Sequence, residues 1–329
     1  WKDTTFTVAS SSSSPGGTIS RSPDQLSYPS GTVVTLTATP ARGFSFTGWS
    51  RDVSGTVNPV TVTMDGDKII TAAFTEGPVS SLIIHYYTSL LDRSPEESGR
   101  LFWLDEITRT QSLGIDTREG FIALARFFLT SPEYQARNTT NAVYVTDLYE
   151  TFFNRTPAPS EVTYWTDLMT AGMSRDITMN WFVYSSEYAT YMTSILGSSV
   201  TRPENNLVND LYRGFLNRLP DTGGFTTQLT AMRTAQASDA AAVRSTTRAI
   251  ALNFVNSPEY ALRARTDAQF IEDCYNGILR RGALASEIQG WVDLLTRGAS
   301  RTEVLTGFVD SPEFQLRVNE VIAAGPYVP

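Results

Sequence analysis

Four arginines recur along the 329-residue chain at nearly constant intervals: Arg93, Arg155, Arg218 and Arg281. Each follows a tyrosine by six positions, and those tyrosines, Tyr87, Tyr149, Tyr212 and Tyr275, lie 62, 63 and 63 residues apart. Four glutamates recur with them: Glu133, Glu187, Glu259 and Glu313. Each glutamate closes a Ser-x-Glu phrase opened by Ser131, Ser185, Ser257 or Ser311. Guanidinium and carboxylate groups in equal number can form planar, bidentate ion pairs, or they can line a ligand site repeated four times. Anchors that persist through repeats usually serve packing, so the structural reading is preferred. It predicts that at least three of the arginines meet the glutamate of the phrase, in their own copy or the next.

Other residues invite chemistry less well. Asp147, Asp210 and Asp273 stand two positions before their tyrosines, where the first copy has His85. An acid in the first turn of a helix would complement its dipole, and no partner base is shared that would make these carboxylates catalytic. A Ser–His–acid nucleophile is disfavoured, because His85 is the single histidine and falls within a helical pattern. Cys274 is the single cysteine, so the chain holds no internal disulfide and no Cys/His metal cluster. "DGDK" (Asp65–Lys68) lacks the alternating acids and closing glutamate of a helix-flanked calcium loop and reads as a hairpin turn. No cofactor is expected; the acidic balance leaves calcium open without supplying a motif for it. Exposed aromatics among the six Trp, 14 Tyr and 17 Phe could stack on sugar rings, but most recur at helical spacing and belong to a core. Asn138 and Asn154 match a glycosylation sequon, a weak signal in a bacterial-type chain.

The elements that position these residues follow from the same count. In each Ser-x-Glu phrase the serine can cap a helix and glutamate meets the positive end of the dipole; three of the four place proline at the first helical position, where copy two has Ser186. A phenylalanine stands three residues before each serine: Phe128, Phe182, Phe254 and Phe308. Ten residues after the arginine comes Trp103, Trp165 or Trp291, with Gln228 in the third copy and Phe225 nearby. Each repeat of about 63 residues therefore reads as four helices packed on neighbouring copies. The serines are spaced 54, 72 and 54, so copies one and three carry about eight extra residues and the larger unit is a pair of about 126.

The first 77 residues differ. "TVVTLTAT" (Thr32–Thr39) and "NPVTVTM" (Asn58–Met64) alternate apolar and polar residues as half-buried strands do. "SSSSSPGG" (Ser10–Gly17) reads as a flexible loop, and Trp49, Phe44 and Phe46 as the core. The fold class is α+β multidomain: a small antiparallel β-domain (1–77), helical repeats one and two (78–203), and helical repeats three and four (204–329).

Gly31–Phe74, with "GTVVTLTA", "GFSFTGW" and the closing "AAF" in order, resembles the internalin-type repeat domain of secreted and surface bacterial proteins. That resemblance implies a β-module used as a spacer or adhesive element. "LYRGFLNRLPDTGG", "EIQGWVDLLTRGASRTEVLTGFVDSPEF" and their sister copies, about residues 79–317, resemble the bacterial domain of unknown function 4214. Its pattern is similar in turn to the helical linker domains of phycobilisomes. The third copy departs from it at Gln228 and lacks the Gly-x-Ser. The resemblance implies an extracellular, surface-layer-type or cell-wall-associated protein and brings no catalytic residues.

Composition narrows the rest. A net charge of −8 argues against nucleic acid as partner, and no apolar run approaches the ~20 residues of a membrane span. Arginine outnumbers lysine 24 to two, which genome composition explains before function does. The chain starts at Trp1 rather than Met, so a removed leader or upstream segment is expected. The expected function is a non-enzymatic extracellular structural protein, the subunit of a self-assembling filament, sheath or surface layer whose partners are its own copies. The alternative is a carbohydrate or cell-wall binding module that meets cell-wall or exopolysaccharide. In the first case the β-domain would contact a neighbour's helical array, and "TTFTVAS" (Thr4–Ser10) could add itself to an open sheet edge.

Overall fold

A computed structural model describes residues 4–12 and 16–327; the Trp1 terminus and Ser13–Pro15 of the serine run lie outside the described residues. Two compact units arise, one from residues 1–84 and 95–104, the other from 85–94 and 105–329.

In the first unit, β1 (Thr5–Phe6), β2 (Val8–Ser12), β3 (Gly17–Ser22), β4 (Tyr28–Pro29), β5 (Val33–Pro40), β6 (Phe44–Arg51), β7 (Val60–Thr63) and β8 (Lys68–Glu76) follow in order. They build two three-stranded sheets, β2-β8-β6 and β3-β5-β7, and a short β1-β4 pair. The alternation along β5 sends Val34, Leu36 and Ala38 inward, where Tyr28, Met64, Ile70, Ala72 and Trp49 complete the core. Phe44 and Phe46 are half-buried and pack against that core.

Three expectations change here. The serine run is not all loop: Ser10–Ser12 are the end of β2, which pairs with β8 in parallel. The "TTFTVAS" stretch is therefore already spent on β1 and β2 inside its own chain rather than free for a neighbour's edge. The bend at Asp65–Gly66 is no hairpin either, because β7 pairs with β5 whereas β8 lies in the other sheet. The two carboxylates of "DGDK" have local work: Asp65 pairs with Lys68, and Asp67 accepts from the Thr7 amide at 2.7 Å and hydroxyl at 3.0 Å.

The helices fall into four sets. The first is α1 (Pro78–Leu91), α2 (Glu97–Ser112), α3 (Thr117–Thr130) and α4 (Pro132–Ala136). The second is α5 (Asn141–Phe153), α6 (Pro159–Thr170), α7 (Arg175–Val183) and α8 (Ser186–Leu196). The third is α9 (Pro203–Leu211), α10 (Thr222–Ser238), α11 (Ala240–Val255) and α12 (Pro258–Leu262). The fourth is α13 (Asp267–Cys274), α14 (Ala285–Thr296), α15 (Arg301–Val309) and α16 (Pro312–Ala324). The extra residues of copies one and three lengthen the middle helices: α2 and α3 have 16 and 14 residues against 12 and 9 in α6 and α7.

In the third and fourth copies the first helix ends in a π-helical turn, Tyr212–Leu216 and Tyr275–Leu279. These turns meet at Gly214 and Gly277. A Cβ on Gly214 would lie 2.4 Å from the Gly277 Cα, so only glycine permits this approach. The corresponding residues of copies one and two, each two positions after the tyrosine, are Ser89 and Thr151; their hydroxyls meet at 2.8 Å. The copies thus pair one with two and three with four through the same point on the same helix.

Candidate functional site

The four-fold set of tyrosine, phenylalanine, arginine, serine and glutamate converges in every copy. The residue before each arginine adopts the left-handed conformation that ends the helix: Asp92, Asn154, Asn217 and Arg280, with φ of 54°, 51°, 53° and 54°. That turn folds the arginine back over its tyrosine, with the guanidinium 5.1, 4.6, 5.1 and 4.8 Å from the ring centre in copies one to four. The other partner of each tyrosine is the recurring phenylalanine, packed edge to face at 4.5, 4.9, 4.7 and 5.2 Å.

Each arginine then reaches the glutamate of its own copy: Arg93–Glu133 at 3.0 Å, Arg155–Glu187 at 2.7 Å, Arg218–Glu259 at 2.6 Å and Arg281–Glu313 at 2.9 Å. The serines join the same knot. The hydroxyls of Ser131, Ser185, Ser257 and Ser311 accept from the amide three residues on at 3.1–3.2 Å. Each donates at 2.7 Å to the carbonyl of the phenylalanine three residues back, which accounts for that spacing. The result is a clamp between the end of a copy's first helix and the start of its fourth.

The clamp has two forms that alternate. In copies two and four a second glutamate, Glu161 or Glu287 in the third position of α6 or α14, binds the same arginine at 2.8 and 3.0 Å. Hydrogen bonds from Arg155 hold the Glu161 carboxyl at about 2, well below its usual range. Copies one and three have Gly99 and Gly224 at that position; Arg93 and Arg218 donate to the carbonyls of Ser94 and Leu219, as Arg281 also does to that of Gly282, and Arg218 further meets Asp221 at 3.4 Å.

The sequence reading missed a second arginine series, although it recurs at a fixed distance from the capping serines. Arg137, Arg263 and Arg317 each follow the capping serine by six residues, where copy two has Tyr191. They donate to Leu90, Phe215 and Ile278, the carbonyls three residues past the clamp tyrosine.

The recurring aspartates are not first-turn dipole partners. Asp147, Asp210 and Asp273 lie in the middle or last turn of their helices and are buried. The phenols of Tyr134 and Tyr260 donate to Asp147 and Asp273 at 2.7 and 3.0 Å, joining the fourth helix of one copy to the first helix of the next. Burial pushes Asp147 up to about 6 against the pull of the Tyr134 bond and Arg137. Asp210 is fully buried among three guanidinium groups, Arg213 at 2.6 Å, Arg280 at 2.9 Å and Arg317. Glu119 shares Arg213 and Arg280 with it, the latter at 3.1 Å. Burial alone would raise the Asp210 pKa, but the three cations outweigh it and hold the group ionised. Arg280 therefore explains its own strained backbone: copies one to three use Asp or Asn at the left-handed position, whereas copy four spends an arginine there to reach Asp210 and Glu119.

A small polar cavity of about 70 Å³ lies beside this cluster, lined among others by Arg126, Asp176, Arg265, Glu272 and Asp273. Burial raises Glu272 to about 7 there. His85 is half-buried, its Nε2 3.0 Å from the Thr151 carbonyl, and burial lowers its pKa. Cys274 is fully buried and its thiol is pushed far up by burial. No group of three His, Cys, Asp or Glu side chains that could hold a metal occurs among the described residues. Among them, too, no helix is long and apolar enough to cross a membrane.

Comparison with known families places two domain types on this geometry. Residues 6–78 match the divergent InlB B-repeat domain. Residues 125–192 and 251–318 match the domain of unknown function 4214, in two stretches that start 126 residues apart, once per pair of copies rather than four times. A comparison with curated proteins gives no match. The chain thus joins a divergent InlB B-repeat domain to two copies of the domain of unknown function 4214, a combination that suggests a bacterial surface-type protein.

Proposed function

We propose that this protein is a non-enzymatic structural component of the bacterial exterior, a subunit that assembles with its own copies into a filament, sheath or layer. The observation that carries this reading is the clamp. A charged set repeated four times is occupied in every copy by the protein's own groups, ring below and carboxylate beside each guanidinium. Such groups hold shape; they are not poised to receive a substrate. No cofactor enters the reading.

The β unit supplies the means of contact. Among the described residues β3 and β7 flank β5 and each has one ladder partner, and β3 offers six residues of sheet edge with Thr18, Ser20 and Ser22 exposed. Open edges pair readily with another chain, and charge on the edge prevents it. The test uses full-length protein, followed by light scattering and negative-stain microscopy with and without calcium. The expected result is ordered polymer from the native chain and none from a Thr18→Lys/Ser20→Lys double variant. A native chain that stays monomeric at high concentration under all conditions defeats the proposal.

A further inference from the structure

The third helical copy lacks the indole that its neighbours carry. Trp165 and Trp291 are the seventh residues after the N-caps of α6 and α14, and the same position of α10 is Gln228. In copy two the Trp165 Nε1 donates to the Tyr149 hydroxyl at 3.1 Å, and its ring lies 5.2 Å from Phe182. In copy four Trp291 stacks on Phe308 at 4.6 Å and 28°.

Copy three keeps the receiving groups without the ring. A surface cavity of about 150 Å³ opens over Tyr212 and Phe254, with Gln228, Asn253, Arg218 and Glu259 around it. Tyr212 is only 4% exposed, and no indole N–H donates to its hydroxyl. It is the counterpart of the phenol that takes the indole N–H in copy two. Phe225 does not fill the gap: it is buried in the core, three residues before Gln228.

We propose that this slot receives the side chain of a tryptophan from another polypeptide. Its Tyr212–Phe254 pair corresponds to the Tyr–Phe pairs beside which an indole packs in copies two and four of the same molecule. A cavity of this size takes a benzene ring when closed, and the open side here leaves room for the second ring. The source is a polypeptide rather than a free aromatic because the exposed Asn253 amide and the half-buried Gln228 amide stand at the rim. These pair with the peptide N–H and C=O groups that flank a tryptophan. The inference is independent of the assembly proposed above, since the partner need not be a second copy.

The test is saturation-transfer NMR on full-length protein with N-acetyltryptophanamide, indole and N-acetylglucosamine as separate probes. Both indole probes are expected to bind, with Kd on the order of 1 mM for so small a ligand. Gln228→Trp fills the slot, so it should abolish binding and raise the unfolding midpoint by about 2–4 °C. Tyr212→Phe removes only the acceptor and should weaken binding about two- to tenfold without lost folding, which keeps the test valid should Gln228→Trp not fold. Absence of indole binding, binding untouched by both variants, binding of indole but not of the amide, or competition by the sugar overturns the proposal.

Discussion

Replacing Asp210 by asparagine tests whether the buried cluster holds the helical unit together. The cluster contains two carboxylates, Asp210 and Glu119, and three guanidinium groups, Arg213, Arg280 and Arg317. Asp210 is fully buried and the Glu119 and Arg213 side chains are no more than 4% exposed, so water cannot replace a lost partner. At an effective dielectric of about 20, each pair at such a distance is worth about 4 kcal/mol, and repulsion among the arginines cancels part of the sum. Removing one member of a buried network typically costs about 3–5 kcal/mol, because the remaining charges stay buried and unbalanced. For a unit of this size that lowers the calorimetric midpoint by roughly 6–20 °C. Asp310→Asn is the control. Its pair with Arg248 joins α15 to α11 but is exposed at 43% and 49%, and its loss should cost about 0–1 kcal/mol. If Asp210→Asn lowers stability by no more than Asp310→Asn does, the cluster is not what holds copies three and four together and the reasoning fails.

Three further outcomes can be measured on the same full-length chain. Gly214→Ala should destabilise by about 2 kcal/mol or more and Ser89→Ala by less, because the first forces a Cβ to 2.4 Å from the Gly277 Cα whereas the second deletes one hydroxyl contact; denaturant midpoints decide it. Ser311→Ala should cost about 1 kcal/mol and Arg281→Ala a comparable amount, the latter through lost ring contact as much as lost charge; a loss above about 3 kcal/mol from either would contradict a partly exposed clamp. Glu272 is raised by burial to about 7, so the native state binds a proton that the unfolded chain has released between about pH 4 and 7. Stability from this group is present at low pH and lost as pH rises through about 7, an effect on the order of 3 kcal/mol; Glu272→Gln should flatten that slope in pH-dependent unfolding, and an unchanged slope would refute it.

What the chain's sequence determines alone is whatever depends on residues within a turn of each other or on exact repetition. The Ser-x-Glu phrase must cap a helix, because its hydroxyl finds the amide three positions on whatever lies around it. The Arg–Glu pairing was readable by co-occurrence, and so was the pair as the larger unit. The α+β division followed from alternation giving way to helical spacing. Tertiary structure decided the rest. Asp147, Asp210 and Asp273 look alike in sequence, yet Asp147 and Asp273 meet phenols of the preceding copy, Asp273 also meets Arg265, and Asp210 meets three arginines; apart from Arg213, three positions from Asp210, and Arg265, eight from Asp273, these partners lie 13 to 107 positions away. The parallel pairing of β2 with β8 joins residues 60 apart, and no local preference reports it in a run of serines. Arg100 belongs to the same class: it is buried against Ser80, the Arg42 carbonyl and the face of Phe44, contacts 20 and 58 positions away that make a helical residue part of the sheet unit. The sequence showed that Gln228 stood where an indole was due. Only the tertiary packing, Phe254 edge-on to Tyr212 and Arg218 over its ring, determined that an open slot remains beside Gln228, because these partners lie far from it in the chain.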